Sequence, residues 1–403
     1  MNSSYDIIVI GGGIIGTATA YTLSKKSDFK ILLVEAENEL AHHQTGNNSG
    51  VIHSGLYYKP NSLKAKNCVT GRELLYEFCE EFGIKHERCG KLVVAANDSE
   101  LSSLSNLFER GTANGLDGIK KLRKEELKEY EPHVNGIAGM YVPQTGIVDY
   151  TQVTNKYAEL LKSKNGKILL GCKFLSKRES GNELIINTTK GEIKTKLLVN
   201  CGGLYSDIIA KQCGTDPGLQ IIPFRGEYYK IKEEKRYLVK NLIYPVPDIK
   251  FPFLGVHFTR MIDGEVEAGP NAVLAFKREG YTKKDFSLSD VSRMIFFPGF
   301  IKMAAKYYKM GLSEFYRSFS KKAFVSALQK LIPEITIDDI EPGGAGVRAQ
   351  ALDKKGKLVD DFRIVEGKRM VHVLNAPSPA ATASLSIGKT IAEIVKSKFN
   401  SEL

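Results

Sequence analysis

Residues Asp6 to Ile10 form a short apolar run that passes at once into Gly11-x-Gly13-x-x-Gly16 and then into a helical pattern through Ala20. A strand, a glycine turn and a helix in that order aim free backbone N–H groups and the positive end of a helix dipole at one point, where a pyrophosphate can sit. Gly11 permits the tight turn, Gly13 lets phosphate approach the backbone, and Gly16 lets the helix lie close to the strand. A second strand, Lys30 to Val34, ends in Glu35, nineteen residues beyond Gly16 and placed to accept hydrogen bonds from ribose hydroxyls. The pattern predicts a βαβ unit that holds a dinucleotide.

Past Glu35 the chain enters a polar loop, His42 to Gly50, before Val51-Ile52-His53-Ser54-Gly55. A nicotinamide-binding chain more often continues its doubly wound sheet here, whereas a long hydrogen-bonding loop suits a larger cofactor lying extended. Apolar spacing predicts helices over Ser62 to Phe82 and Ser99 to Asn114, with a strand at Lys91 to Ala96 between them. Lys167 to Leu170, Glu183 to Asn187 and Leu197 to Asn200 read as a β-meander ending at Cys201-Gly202-Gly203, where backbone can again approach a ligand. Further strands are expected at Tyr228 to Ile231, Glu265 to Ala268 and Met370 to Leu374, then a turn from Asn375 to Pro379 and a last helix from about Thr382. Because both ends read as nucleotide-domain pieces, the expected fold is mixed α/β. A Rossmann-like cofactor domain (1–85, 145–220 and 340–403) carries a discontinuous substrate domain (86–144 and 221–339) on a mixed or antiparallel sheet.

With 403 residues and a net charge of +11, the chain suits an anionic substrate, an anionic membrane surface or nucleic acid. Its lysines are scattered and do not alternate with stacking aromatics, which makes nucleic acid the weakest of the three. Six cysteines form no CxxC pair and no metal-ligand spacing with histidine, so reduced thiols in a cytoplasmic protein are expected and neither a disulfide framework nor a metal. The adjacent His42 and His43 lack a third ligand in sequence and read as loop structure. No run approaches the roughly 20 apolar residues that span a bilayer, which limits any membrane contact to the periphery. The stretch from Asp285 to Ser320 is helical, basic and aromatic. It reads most simply as a cover on the substrate domain, and its interleaved Lys302, Lys306, Lys309, Arg317, Lys321 and Lys322 raise a membrane-surface helix as the alternative.

Several stretches go beyond the glycine turn: His43 to Tyr58, Pro223 to Tyr228, Gly255 to Gly264, Gly269 to Ala275, Ala345 to Gln350 and Asn375 to Thr382. With these, the chain resembles the D-amino-acid-oxidase-like FAD-dependent oxidoreductases over nearly its whole length, and within them it is similar to the bacterial L-2-hydroxyglutarate dehydrogenases, also called oxidases. The resemblance implies that Gly11, Gly13, Gly16 and Glu35 hold the ADP half of FAD, with Phe174 offering backbone near adenine and Gly202 and Gly203 completing the pyrophosphate site. Thr45, Asn48 and Ser49 would line the route to the flavin. Pro379, Ala380, Ala381 and Thr382 would precede a helix whose positive end faces the flavin pyrimidine oxygens.

The implied reaction takes a hydride from C2 of L-2-hydroxyglutarate to flavin N5 and a proton from its hydroxyl, with electrons passing on to a membrane quinone or to oxygen. Histidine suits the base, and His53 and His257 are the two candidates. Arg348 matches the family's Gly-x-Arg position that grips the substrate carboxylate, and a guanidinium does so bidentately. A five-carbon diacid needs a second cation, for which Arg260, Arg225 and Lys277 are candidates, while Tyr57 and Tyr58 could hydrogen-bond a carboxylate or simply pack. Two other readings stay open: an amine or amino-acid oxidase on the same fold, and an FAD-containing RNA-modifying protein using the positive charge.

Overall fold

The computed structural model describes residues 4–26, 28–247 and 255–402. Strand β1 (Ser4–Ile10) is buried along Ile7 to Ile10, as an unbroken β-branched run requires inside a parallel sheet. It pairs in parallel with β2 (Ile31–Val34) on one side and with Gly191–Asn200 on the other, where Ile10 lies opposite Asn200. Met370–Asn375 then runs parallel to Gly191–Asn200, so the two ends of the chain meet in one eight-stranded sheet. On one face Ile7, Val9, Leu33 and Val199 pack with Ile387 and Ile391 of the carboxy-terminal helix Ser384–Glu402. On the other face Ile8, Ile10 and Leu198 pack with Leu184 and Ile186.

The meander differs in one member from the sequence expectation. Lys167–Leu169 does not join it but adds in parallel to β2 at the far edge of the sheet, after the helix Tyr150–Ser163. A strand that returns through a helix is brought in parallel, and that connection decides the edge. The meander's first strand is instead Phe174–Ser180, a solvent-facing strand whose charged residues conceal its period.

A second, nine-stranded sheet carries the substrate side. Its strands include Lys91–Ala95, Ala138–Val142, Leu242–Pro245, His257–Arg260 and Val266–Gly269, mostly antiparallel, with Leu242–Pro245 parallel to Lys91–Ala95. The long strands Leu219–Ile231 and Ile340–Asp353 run antiparallel from Leu219 opposite Asp353 to Ile231 opposite Ile340. Residues 340–353, grouped with the cofactor domain in the sequence reading, thus hydrogen-bond into the second sheet and deliver Arg348 opposite Phe224. The basic aromatic stretch is two helices, Leu288–Ile295 and Pro298–Phe319, with non-helical backbone again at Tyr307. Met294 and Met303 anchor them on Ile222 and Leu352.

One buried ion pair clamps the two sheets together. Arg278 donates to both oxygens of Asp207, at 2.7 and 2.9 Å, and its guanidinium also bonds the Leu204 carbonyl. Both side chains are almost fully buried, so removing one partner strands the other charge. Arg278→Met is therefore expected to cost about 3–5 kcal/mol in urea unfolding. Lys354→Met, which breaks an exposed pair with Asp216, is expected to cost less than about 1 kcal/mol.

Candidate active site

The glycine turn is built by close approach of three backbones. A Cβ on Gly16 would lie 1.9 Å from the Gly11 carbonyl oxygen, and one on Gly11 would lie 2.4 Å from the Cys201 carbonyl oxygen. The first helix, the first strand and the end of Gly191–Asn200 can meet only because these positions lack side chains. Gly11 also has φ of +108°, a backbone shape that L side chains rarely adopt. Glu35 closes the turn, one carboxylate oxygen accepting from the Gly12 amide and the other from the Glu37 amide at 2.8 Å. Thr45 Oγ1 accepts from the Ile14 amide at 3.1 Å, capping the helix that follows the turn.

A continuous cavity of about 1270 Å³ starts here and is lined by Gly11, Gly13, Glu35, Thr45, Asn48, Ser49, Phe174, Gly202 and Gly203. Its size exceeds the ~300–1,000 Å³ of an ordinary small-molecule site. It continues past Pro379, Ala380, Ala381 and Thr382 to His53, Tyr57, Tyr58, Tyr228, Tyr244, His257 and Arg348. Asn48 braces its loop, accepting from the Gly50 amide at 2.8 Å and donating to the Thr45 carbonyl. Thr382 ties the carboxy-terminal turn to the cavity wall: its hydroxyl accepts from the His53 amide at 3.0 Å and meets the Tyr150 hydroxyl at 2.9 Å. Gly346, two residues before Arg348, passes so close to the polar loop that a Cβ there would lie 2.5 Å from the Asn47 carbonyl oxygen.

At the far end, His257 stacks on Tyr244 with ring centroids 3.9 Å apart. Its Nδ1 lies 3.0 Å from the Gly255 carbonyl, which can only accept, so the proton sits on Nδ1 and Nε2 keeps its lone pair. Burial first, with the Arg348 and Lys91 charges adding to it against the Gly255 bond, holds His257 down at about 3. Burial and then the Lys91 charge bring His53 to about 3 as well. Both rings are therefore neutral at physiological pH, and burial with the nearby cations opposes their protonation. Burial pushes the Tyr57 and Tyr58 hydroxyls well above the usual range, and Tyr228 is pushed up to about 12 against the pull of Arg348.

Not every sequence candidate reaches this end. Arg225 is buried in a bond to Glu227 (3.0 Å) and to the Thr282 carbonyl (2.9 Å), and Arg260 spends its guanidinium on Glu87 (2.6 Å) and the Lys240 carbonyl (2.9 Å). Neither lines the cavity: Arg225 balances Glu227 two residues along its own strand, and Arg260 balances Glu87 on a different strand. Lys277 does line it, but its neighbour Arg278 binds Leu204 and Asp207, which sets Lys277 on the side of the Gly202-Gly203 turn. His43 lies between Glu37 and Glu279, at 3.2 and 3.6 Å, and stacks on Tyr281. The residue missed from sequence is Lys91, 1% exposed, whose Nζ lies 4.4 Å from the Tyr57 ring centre and 4.8 Å from that of Tyr244. Its signal was a lysine heading the otherwise apolar strand Lys91–Ala95. Tyr228 and Tyr244 were likewise not singled out for the site.

A glycine cradle at one end of a long cavity and two neutral histidines beside an arginine at the other define a dinucleotide-dependent oxidoreductase of two interlocked domains. The chain belongs to the DAO family of FAD-dependent oxidoreductases, whose model matches residues 6–394. It is 55% identical to an L-2-hydroxyglutarate dehydrogenase of Indibacter alkaliphilus over 98% of this chain and 100% of that one. It is 48% identical to the mitochondrial L-2-hydroxyglutarate dehydrogenase of Homo sapiens, over 98% of this chain and 90% of that one. Among solved structures it is similar to the dithionite-reduced L-α-glycerophosphate oxidase of Mycoplasma pneumoniae with FAD bound, with a TM-score of 0.81 at 24% identity, covering 98% and 95% of the two chains. The cradle fits FAD: a Cβ on Gly13 would touch only Thr45 Oγ1, at 3.3 Å, so the turn is open on the side where a pyrophosphate lies.

Three histidines give a pH signature. His53 and His257 are held at about 3 and His372, buried between Asn200 and Thr215, at about 4, each below its ordinary 6.5. Their contribution to stability is complete above 6.5 and is lost as pH falls, since the unfolded chain takes up protons that the folded chain refuses. The free energy of urea unfolding is expected to decline from pH 6.5 to about 4, by roughly 1 kcal/mol per pH unit for each ring. His372→Gln is expected to flatten that slope; an unchanged slope would contradict the assignment.

Proposed function

We propose that the enzyme oxidises L-2-hydroxyglutarate to 2-oxoglutarate. The observation that carries this reading is the 55% identity, spanning both chains, to a relative of that name. The chemistry of the cavity end supports it. FAD, held by the Gly11 to Gly16 turn, Glu35, Gly202, Gly203 and the Pro379 to Thr382 turn, supplies the two-electron acceptor when bound. Arg348 grips the carboxylate beside the reacting carbon, bidentately, and so orients C2. His257 takes the hydroxyl proton at Nε2, the nitrogen left free by the Gly255 bond, with His53 as the second group able to do so. Loss of that proton drives the carbonyl to form as C2 gives up its hydride. Anaerobic mixing with L-2-hydroxyglutarate is expected to bleach the flavin, and neither the D enantiomer nor L-glutamate is expected to do so. Equal bleaching by both enantiomers, or by the amino acid, would overturn the reading.

The electrons leave to a membrane quinone, with oxygen a poorer acceptor, in the reading we favour. Among the described residues no helix is long and apolar enough to cross a membrane. Among the described residues, more than half of the exposed large apolar side chains lie between Phe286 and Phe319. Tyr308, Leu312, Tyr316 and Phe319 form one helical stripe, each more than half exposed, with exposed Lys302, Lys306 and Lys309 beside it. An apolar stripe flanked by lysines suits the surface of an anionic bilayer. The holoenzyme is expected to cosediment with liposomes containing phosphatidylserine. The triple change Lys302→Gln, Lys306→Gln and Lys309→Gln is expected to weaken that binding about 100-fold, at about 1 kcal/mol per lysine. Cosedimentation that ignores the triple change would reject the surface.

A further inference from the structure

Among the described residues, two polar groups near the reactive end of the cavity have no hydrogen-bond partner: the Tyr57 hydroxyl in its wall, and the ammonium of Lys91, which lies directly behind the Tyr57 and Tyr244 rings of that wall. The Tyr57 hydroxyl is buried and bonds to nothing among the described residues. Lys91 is 1% exposed, and among the described residues neither a carboxylate nor a carbonyl takes a hydrogen bond or ion pair from its Nζ. A buried lysine is normally paired, because an uncompensated ammonium is costly to take out of water. What Lys91 has instead is the faces of two aromatic rings, Tyr57 and Tyr244, both of which line the cavity.

We propose that Lys91 Nζ and the Tyr57 hydroxyl form a second carboxylate subsite, which selects substrates bearing an acid at the end remote from the one that Arg348 grips. This rests on the reading of the enzyme as an L-2-hydroxyglutarate oxidoreductase and deepens it by naming the groups that recognise the remote acid. Lys91 lies against Tyr244, which stacks on His257, and the Lys91 and Arg348 charges both lower the basicity of that histidine, so the two cations belong to the same end of the cavity. The groups facing Lys91 are Tyr57, Tyr244, Cys68, His53 and His257, and not one of them is an anion at neutral pH. A carboxylate would supply the missing countercharge and accept from both the ammonium and the phenol. Arg225 and Arg260, the alternatives read from sequence, already have carboxylates of their own.

The test is binding to the oxidised holoenzyme, read from the flavin absorbance change, so it does not depend on turnover. Two ligands share a five-carbon 2-oxo-acid skeleton and differ only in the remote acid: 2-oxoglutarate and 2-oxopentanoate. Wild-type enzyme is expected to prefer 2-oxoglutarate by about 100-fold or more, and Lys91→Met to reduce the preference to within about threefold. Lys91→Arg is expected to keep part of it. Tyr57→Phe, which leaves the ring in place should the methionine variant fail to retain FAD, is expected to reduce the preference about tenfold. A wild-type enzyme that binds the two ligands alike, a folded Lys91→Met that still prefers the diacid, or an unaltered preference in Tyr57→Phe would each overturn the proposal. Failure of the functional reading shows separately, as wild-type flavin that L-2-hydroxyglutarate does not bleach.

Discussion

The structure depends on the contact of backbone with backbone at Gly11. The first strand, the helix after it and the end of Gly191–Asn200 come within a distance that no Cβ would allow, with Gly16 against the Gly11 carbonyl and Gly11 against the Cys201 carbonyl. Without that approach the amides of the turn would not face the same space as Gly202 and Gly203, and the cavity would have no phosphate end. The carboxy-terminal strand Met370–Asn375 joins the same sheet beside Gly191–Asn200. The turn it leads into therefore arrives over the polar loop that the first βαβ unit launches, and Thr382 fastens the two. A site assembled from both ends of the chain is thus fixed by one sheet.

The second sheet supplies chemistry by crossing over this frame rather than by standing beside it. Arg348 sits on a strand of the substrate sheet, yet Gly346 on that strand touches the polar loop of the cofactor domain, and Arg278 is sunk into the helix that begins at Ser206. Charged clamps of this kind are weak stabilisers compared with apolar packing, but they specify one relative placement, because any other leaves Asp207 buried and unpaired. The same rule explains why two of the cationic residues near the site are unavailable to a ligand. Arg225 and Arg260 are held by Glu227 and Glu87, so their charge is spent on folding.

Sequence placed the strand, glycine turn and helix at one end of the cavity and left the cations of the other end unranked, and the difference has a physical origin. A phosphate cradle is local: its glycines, strand and helix are consecutive, and the spacing records the geometry directly. Glu35 and Gly202-Gly203 could be found because strand ends announce themselves by composition. The substrate end is assembled from five separated stretches that carry His53, Lys91, Tyr244, His257 and Arg348, and nothing in one stretch says what faces it from another. Resemblance brought His53, His257 and Arg348 forward, but ranking the remaining cations required knowing which had carboxylate neighbours. Lys91 stood at the head of an apolar strand, where a lysine reads as a solvent-facing end. Only the closure of the second sheet over it shows that its ammonium is enclosed. Lys167–Leu169 failed for a similar reason, since three residues carry a strand's composition but not its partner.

Electrostatics then links the buried histidines to the unpaired lysine. A cavity end that keeps His53 and His257 neutral does so by excluding water and by placing Lys91 and Arg348 near them, and both effects lower histidine basicity. The same exclusion pulls Lys91 down to about 7. On the reading proposed above, a dianionic substrate reverses that balance. It holds Lys91 protonated, offsets Arg348, and relieves the two charges that depress His257, so that the base becomes stronger when the correct substrate is in place. A monoacid relieves only one of them. On the proposed reading, selectivity for a diacid and readiness of the base are in this way consequences of the charges that Lys91 and Arg348 bring to bear on His257.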